Sequence, residues 1–339
     1  MGRMQIRACC GRRPGLALSV LWAVLWASAC TGHILQPPAA APLSNEYALI
    51  VTAAKGDTWA GLAEVHLGDA AKAWWIEAYN GAGPLAPGRR VVIPRRPVGL
   101  GGLRVDGYQT VPVLLYDRIA AAKTPGAVAA ADFEAHLEYL AGNGFRPSTL
   151  SAFMAFLDLE DQVPPKAVVV TLEGSERWIF DVAYPILKRR GSPAALFTIP
   201  AMIGRQGHLT WEHLRIMAAD GVEIGLLGGE NEPSAAQPAS GNHALSWQRL
   251  AREIGAGREA LQSGLQRPCN FFAYPAGRAD DIFAAHARKQ GFRAAFTREN
   301  GANPFFSDPF LLKRQAVGAD VDLKRFDRLL ITFHQAELR

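Results

Sequence analysis

The sequence predicts an α/β fold for the C-terminal two thirds of the chain, preceded by a small domain with two helices. From Val111 onward, short apolar segments rich in β-branched residues alternate with amphipathic segments. Strands that alternate with helices in this way are typical of a parallel sheet covered by helices. The number of such units suits a (β/α) barrel better than an open sheet of about six strands.

The first 29 residues have the composition of an export signal. They contain four arginines and no acidic residue, and an apolar run over residues 16–29 is too short to span a bilayer. Residues 27–30, Ala-Ser-Ala-Cys, resemble a lipobox, in which the cysteine is lipidated and becomes the mature N-terminus. We therefore expect a signal peptide over residues 1–29 and a membrane-anchored lipoprotein of the cell envelope, facing the periplasm. The alternative is simple cleavage and a soluble secreted protein.

The charge balance gives no indication of a nucleic-acid partner. The formal net charge is +5, but residues 1–29 hold four of the 36 Lys and Arg residues and no acid, so the mature chain would carry +1. We expect no nucleic-acid partner.

Cysteine usage argues against an intramolecular disulfide. Cys9 and Cys10 would leave with the signal and Cys30 would carry the lipid, so Cys269 has no partner. We expect Cys269 to be a small buried hydrophobic residue at the start of a strand.

Residues 30–46 hold the lipidation site and a tether rich in Pro and Ala, and residues 47–95 form a separate small domain. The segment begins with a strand-like stretch, YALIVT, and ends with another, RVVIP. Thr58 is placed to cap a first helix, and a second helix runs from about Ala70 to Tyr79. The predicted order is therefore βααβ.

This small domain resembles a lysin motif (LysM). The resemblance rests on GDTWAGLA at the first helix, HLGD between the helices, Asn-Gly after the second, and PLAPGRRVVIP at the end. It implies binding to peptidoglycan or another glycan that contains N-acetylglucosamine, through the site residues Gly56, Asp57, Thr58, Trp59 and Asn80. A purely structural spacer is the alternative. Two further tryptophans at positions 74 and 75 are adjacent, so they face different directions on a helix, and we expect at least one in the core.

A linker over residues 96–110 leads to the α/β domain, residues 111–332, and its most informative element is the strand Ala167–Leu172. This stretch has no polar alternation, as expected of a strand covered on both faces. The polar turn formed by Glu173, Gly174 and Ser175 follows it directly. Chemistry in α/β enzymes is placed at the carboxyl ends of strands, so this turn is a candidate site.

The α/β domain resembles the polysaccharide deacetylases with NodB homology (carbohydrate esterase family 4). The matching segments, in order, are GYQTVPVLLYDRI, TLEGS, FDVAYPILKRRGSPAALFTIPAMIG, HLTWEHLRIMAADGVEIG, FFAYPAGR, GFRAAFT and NPFFSDPFLLKRQAV. The resemblance implies a distorted (β/α) barrel of about seven strands and, for the family, a catalytic divalent metal such as zinc.

When this sequence is aligned with the family motifs, the catalytic and metal-binding positions hold different residues. Glu173 takes the place of the catalytic-base Asp, and Gly174 takes that of a metal-binding Asp. Leu227 and Asn231 take the places of the two metal-binding histidines. All three implied protein ligands are therefore replaced at these degenerate metal positions, and we expect no metal and no other cofactor.

Other parts of the family's groove have counterparts here. Tyr274 and Pro275 keep the substrate-loop motif, and Ala276 stands where a backbone N–H of the family stabilises the oxyanion. Asp117 replaces a histidine after the opening strand and is assigned to the groove. For Glu173 two roles remain open, a carboxylate directed at a sugar hydroxyl or a solvated remnant.

Histidines elsewhere do not restore a metal site. His208 and His213 flank the start of a helix, and His243 lies in a polar loop, so we expect surface or capping roles. The sequence thus favours an envelope-anchored glycan-binding protein whose deacetylase-like domain has lost metal-dependent deacetylation. The alternative is an active deacetylase or hydrolase that acts on N-acetyl groups of a polysaccharide through an atypical site with Glu173.

Overall fold

A computed structural model describes residues 43–81, 83–97, 99–228 and 243–336, and for residues 243–250 it describes the backbone alone. Residues 42–339 belong to one compact unit. The predicted signal peptide, Cys30, most of the tether and Asn231 lie outside the described residues, so their assignments remain predictions. No helix in the described ranges is long and apolar enough to cross a membrane.

The N-terminal module, residues 43–95, contains a small antiparallel sheet and two helices in the predicted βααβ order. Thr58 caps the first helix by accepting a hydrogen bond from Gly61 N, and Gly68 ends it in a left-handed conformation. The second helix begins with a short 3₁₀ turn at Ala70–Lys72. The sheet order is β1-β2-β3. The elements are β1 Leu43–Ser44, β2 Ala48–Thr52, α1 Trp59–Leu67, α2 Ala73–Asn80 and β3 Arg90–Pro94.

The α/β domain alternates strands and helices as expected. Its strands are β4 Leu103–Arg104, β5 Gly107–Tyr116, β6 Ile119–Ala120, β7 Val128–Ala129, β8 Arg146–Pro147, β9 Ala167–Glu173, β10 Ala195–Thr198, β11 Glu223–Leu227, β12 Phe271–Ala273, β13 Ala294–Phe296, β14 Ala302–Pro304, β15 Gln315–Ala316 and β16 Phe333–Gln335. Its helices are α3 Ala130–Gly142, α4 Leu150–Leu157, α5 Tyr184–Arg190, α6 Trp211–Ala219, α7 His243–Leu265, α8 Asp281–Lys289 and α9 Leu323–Leu329.

The main sheet is a curled half-barrel, which confirms the predicted fold class. Its strand order is β13-β12-β11-β10-β9-β5-β14. Neighbours along this path are parallel, except that β14 runs antiparallel to β5. The carboxyl ends of the parallel strands therefore meet at one edge, where side chains from distant parts of the sequence come together.

Strand β9 lies inside this sheet, between β10 and β5, and both of its faces are apolar and buried. Val168, Val170 and Leu172 pack into one hydrophobic cluster, and Ala167 and Val169 pack into the other. Alternate residues of a strand point to opposite faces, so each face supplies one layer of core.

Some elements differ from the sequence-based expectations. The stretch over residues 311–317 forms only the short strand β15, and a π-helical turn, Ile179–Ala183, precedes α5. The sequence analysis did not anticipate β14 or α9. Strand β14 is only three residues long and includes a proline, so it carries little periodicity.

Candidate active-site cleft at the strand ends

The turn after β9 is tied to the neighbouring strand. Glu173 ends β9 and pairs in register with Phe197 of β10. Ser175 Oγ shares a hydrogen bond of 2.9 Å with Thr198 Oγ1 and accepts one of 3.0 Å from Ile199 N. The turn is therefore held at the carboxyl edge of the sheet, where the sequence predicted it.

Glu173 itself is buried and paired with two arginines. Its side chain is 4% exposed, and Arg298 Nη2 donates to Oε1 at 2.5 Å. Arg314, which is fully buried, brings Nη2 within 2.7 Å of Oε2. The carboxylate is therefore buried rather than solvated, and each of its oxygens faces a guanidinium group. A buried carboxylate requires a cationic partner, and here it has two.

Arg314 lies deep in the fold. Its Nε donates to Thr297 O at 2.8 Å, and the guanidinium lies over the ring of Phe197, 5.3 Å from its centre. The contact with Glu173 is an ion pair without an aligned hydrogen bond, since neither Nη atom makes one to a described residue. Burial lowers the pKa of Arg314, although the negative charge of Glu173 opposes that shift.

Asp117 belongs to the same ion-pair network. Arg298 Nη1 lies 3.4 Å from Asp117 Oδ2, and the aspartate side chain is 52% exposed. Asp117 is thus the solvent-facing end of a row that runs inward through Arg298 and Glu173 to Arg314. Two acids and two arginines balance in charge, which favours a structural role for this row.

A cavity of about 770 Å³ opens beside the turn. It is lined by Gly174, Glu176, His208 and Leu227, by the first residues of the loop after β10, and by residues of α7. Gly174 has a φ of 133°, and a Cβ atom at this position would collide with the carboxylate of Glu176. Glu176 Oε2 accepts a hydrogen bond of 2.9 Å from Ser175 N, which holds that carboxylate beside Gly174.

The loop after β12 keeps one feature that was predicted and corrects another. Ala276 is exposed and left-handed, with φ 49° and ψ 19°, a conformation that costs a non-glycine residue about 1–3 kcal/mol. Tyr274, by contrast, is fully buried, and its hydroxyl donates to Phe310 O at 2.8 Å. Pro275 is also buried. Neither Tyr274 nor Pro275 lines the cavity, because both side chains pack inward from the strand end.

Comparison with known proteins places this geometry in a family. Residues 160–295 match the family described as polysaccharide deacetylase. A provisionally named polysaccharide deacetylase of Bacillus subtilis (strain 168), YxkH, is 27% identical over 200 residues, which are 59% of this chain and 68% of that protein.

The family match and this relative support a polysaccharide deacetylase domain in this part of the chain. Two solved structures share its fold. The Streptococcus pyogenes deacetylase PplD in complex with acetate is 20% identical with a TM-score of 0.59, over 65% of this chain and 98% of the other. IcaB from Ammonifex degensii is 25% identical with a TM-score of 0.57, over 66% of this chain and 96% of the other.

The side chains of this deacetylase domain do not fit the metal site that the family resemblance implies. Gly174 offers no donor atom, and Leu227 offers a hydrocarbon side chain that is 6% exposed. Asn231, at the third position, lies outside the described ranges. Among the residues that the structure describes, no group of three or more His, Cys, Asp or Glu side chains could hold a metal ion. Zinc sites of enzymes use three protein ligands. Two of the three corresponding positions here, Gly174 and Leu227, hold side chains that cannot bind a metal ion.

The histidines near the deacetylase cleft have local structural roles. His213 completes a capping box at α6, since its Nδ1 accepts from Thr210 N at 3.2 Å, and its ring stacks on Phe180. His208 Nδ1 lies 2.9 Å from Gln206 O on the rim of the cavity. The capping role expected for His213 is therefore observed. The side chain of His243 is outside the described part of the chain.

The residues predicted to bind glycan in the N-terminal module also make internal contacts. Asp57 Oδ2 accepts from Ala54 N at 2.8 Å, Thr58 caps α1, and Trp59 Nε1 donates to Gly83 O at 3.3 Å. Asn80 bridges α2 and β3, because its amide bonds to Ile76 O, Val92 O and Val92 N. Gly56 has a φ of 96° and open space around it. The local side chains thus shape the predicted loop, and Asp57 N and Thr58 O are used in backbone hydrogen bonds to Ala54 O and Leu62 N.

Two arginines and one glutamate of the site were missed by the sequence analysis. Arg298 and Arg314 each follow an apolar stretch, FRAAFT and FLLK, and Glu176 lies in the focal turn. A charged residue within three positions of the end of a buried strand is a signal that could have identified Arg298 and Glu176, whereas Arg314 directly precedes β15. Cys269 behaves as predicted, since it is free and buried just before β12.

Proposed function

We propose that this protein is an envelope-anchored glycan-binding protein whose deacetylase domain has lost metal-dependent deacetylation. The domain assignment rests on the family match. The loss of activity, the anchoring and the glycan binding are the parts proposed here.

One observation carries the loss of activity: the residue in the catalytic-base position is used as a structural ion. Glu173 is 4% exposed between Arg298 and Arg314. A general base must reach a water or substrate proton at hydrogen-bond distance, and this carboxylate is enclosed by guanidinium groups. The neighbouring metal positions add a second loss, since Gly174 and Leu227 provide no ligand.

The missing metal would be costly for a hydrolase. A bound divalent ion lowers the pKa of water from about 15.7 to about 7, which is worth roughly 12 kcal/mol of proton affinity. A lone carboxylate held in an ion pair cannot supply that shift. The retained cleft is therefore better suited to binding than to hydrolysis.

Metal analysis followed by an acetate-release assay tests the proposal. The purified mature chain should contain less than stoichiometric zinc, cobalt or manganese and release no acetate from chitooligosaccharides supplied with these metals. The active-enzyme alternative requires turnover that Glu173→Ala abolishes in a folded variant. Stoichiometric metal or such turnover would overturn the proposal.

A gain-of-function variant sharpens this test. Restoring donors with Gly174→Asp and Leu227→His alone is expected to fail, because the new Cβ at 174 meets the Glu176 carboxylate at a φ of 133°. Adding Glu176→Ala removes that clash, and Asn231→His supplies the third ligand of the motif. The variant with all four changes should bind zinc, and the variant without Glu176→Ala should bind it more weakly.

Anchoring and glycan binding need separate tests. Cys30→Ser should release the protein from membranes, and retention of this variant with no lipid on Cys30 would contradict the lipoprotein assignment. The mature chain should be enriched on insoluble peptidoglycan through the loop that begins at Gly56. Absence of enrichment would favour the spacer alternative for the N-terminal module.

A further inference from the structure

A second cleft lies where the N-terminal module meets the deacetylase domain. It has a volume of about 730 Å³ and is lined by Lys72, Trp74 and Trp75 of the module and by Arg146, Asp161 and Gln162 of the deacetylase domain, among others. A smaller cavity of about 210 Å³ shares both tryptophans and Gln162. The larger volume lies within the range of ligand sites in proteins.

Both tryptophans face this junction and lie outside the module's own core. The core of the module is formed by Leu62, Ile76, Val91 and their neighbours, and neither Trp74 nor Trp75 belongs to it. Trp75 is nevertheless 93% buried, since only 7% of its surface is exposed. Large aromatic side chains contribute most to binding when they line a pocket of this kind.

The indole nitrogens have unused hydrogen-bonding capacity. Neither Trp74 nor Trp75 donates from Nε1 to another described residue, and neither nitrogen is among the fully enclosed unpaired atoms. Buried tryptophans usually find an acceptor for this donor. Both side chains line the cavities, so a ligand oxygen bound there would have two indole N–H donors nearby.

Three of the four charged residues that line the cleft, Lys72, Arg146 and Asp161, are in ion pairs, and the fourth, Asp69, accepts a hydrogen bond from Ala71 N. Lys72 Nζ lies 3.0 Å from Asp161 Oδ2 across the junction, and Arg146 lies 3.6 Å from Glu77. These pairs are partly exposed and contribute little to stability, about 0–1 kcal/mol each. The side-chain amide of Gln162, on the deacetylase wall, makes no hydrogen bond to a described residue. A neutral ligand rich in hydroxyl or amide groups matches such a lining better than an ion does.

We propose that this junction cleft binds a neutral oligosaccharide, with a sugar ring against Trp74 and its polar groups on the indole N–H donors and the Gln162 amide. Sugar rings combine an apolar C–H face with a rim of hydroxyl groups, and an aromatic ring beside polar groups matches both. The site is distinct from the Gly56 loop and from the strand-end cleft. It extends the proposed glycan binding, because one strand would contact the module and the deacetylase domain together.

Calorimetric titration of the mature chain with the tetramer of N-acetylglucosamine tests the proposal. Cys30→Ser is used throughout to keep the protein soluble. Trp74→Ala and Gln162→Ala, one on each wall, should each weaken binding by about tenfold or more. The control Ile282→Ala replaces an exposed residue away from both clefts and should change affinity by less than about twofold.

An Asp57→Ala variant separates this site from the predicted lysin-motif loop. If Asp57→Ala abolishes binding while Trp74→Ala and Gln162→Ala leave it unchanged, the cleft proposal is wrong and glycan binding by the loop stands. The absence of tetramer binding by the unmodified chain at millimolar concentration also overturns the proposal. Circular dichroism checks the fold of every variant, and Gln162→Ala decides the outcome if Trp74→Ala does not fold.

Discussion

Removing one partner of the buried Glu173–Arg314 pair should destabilise the protein far more than removing the exposed partner. The first variant is Arg314→Met, which keeps an unbranched, flexible side chain and removes its charge. The second is Arg298→Met, at a residue whose side chain is 36% exposed. Glu173→Leu completes the set and allows a double-mutant cycle with Arg314→Met.

The magnitude follows from the distance and the burial. Two unit charges 2.7 Å apart attract by about 6 kcal/mol at an effective dielectric constant of about 20. Desolvation of both groups offsets most of that gain, so the intact pair contributes little net stability. Loss of one member leaves the other buried and uncompensated, which costs about 3–5 kcal/mol. Arg298 is screened by solvent, so its loss should cost about 1 kcal/mol or less.

Urea unfolding followed by tryptophan fluorescence measures these differences. Arg314→Met should lower the free energy of unfolding by about 3 kcal/mol or more, and the double variant with Glu173→Leu should regain at least about 1 kcal/mol of that loss. The reasoning would be refuted if Arg314→Met cost no more than Arg298→Met and the cycle showed no coupling. If the Glu173 carboxylate were free to act as a base, the double-mutant cycle would show no coupling with Arg314.

Three further predictions follow from buried groups elsewhere. Burial raises the pKa of the Cys269 thiol to about 11, so the native Cys30→Ser chain at pH 8 should react with a disulfide reagent much more slowly than the urea-unfolded chain; equal rates would contradict it. Burial lowers the pKa of His136 below its ordinary 6.5, with the Val321 carbonyl and Asp132 opposing. The unfolded state then binds more protons, so the stability that neutral His136 contributes is fully present above pH 6.5 and is lost as the pH falls below 6.5. The His136→Gln variant should therefore lose less free energy of unfolding than the unmodified chain when the pH falls from 7.5 to 5.5. Equal losses in the two proteins would argue against this prediction. Asn80→Ala removes three hydrogen bonds within the N-terminal module and should lower the free energy of unfolding by about 2 kcal/mol, which is seen as a lower melting temperature. An unchanged melting temperature would contradict this structural role of Asn80.

The sequence was sufficient for the features that depend on local chemistry. The alternation of strands and helices, the buried strand β9 and the cap at Thr58 were all predicted and observed. Each depends on residues a few positions apart, whose hydrophobicity and hydrogen-bonding groups act within one element. The position of the candidate site at the end of β9 belongs to this group.

Only the tertiary structure decided how the side chains of the site are used. Glu173 at the end of β9 is paired with Arg298, 125 positions further along the chain and just after β13, because the curled sheet brings the carboxyl ends of these two non-adjacent strands together. Tyr274 turned inward because a carbonyl of Phe310 was within reach of its hydroxyl. Trp75 lines a junction between two domains, although helical spacing alone would place it in a core. Burial and ion pairing depend on which segments the fold brings together, and the spacing of residues along one segment carries no information about that.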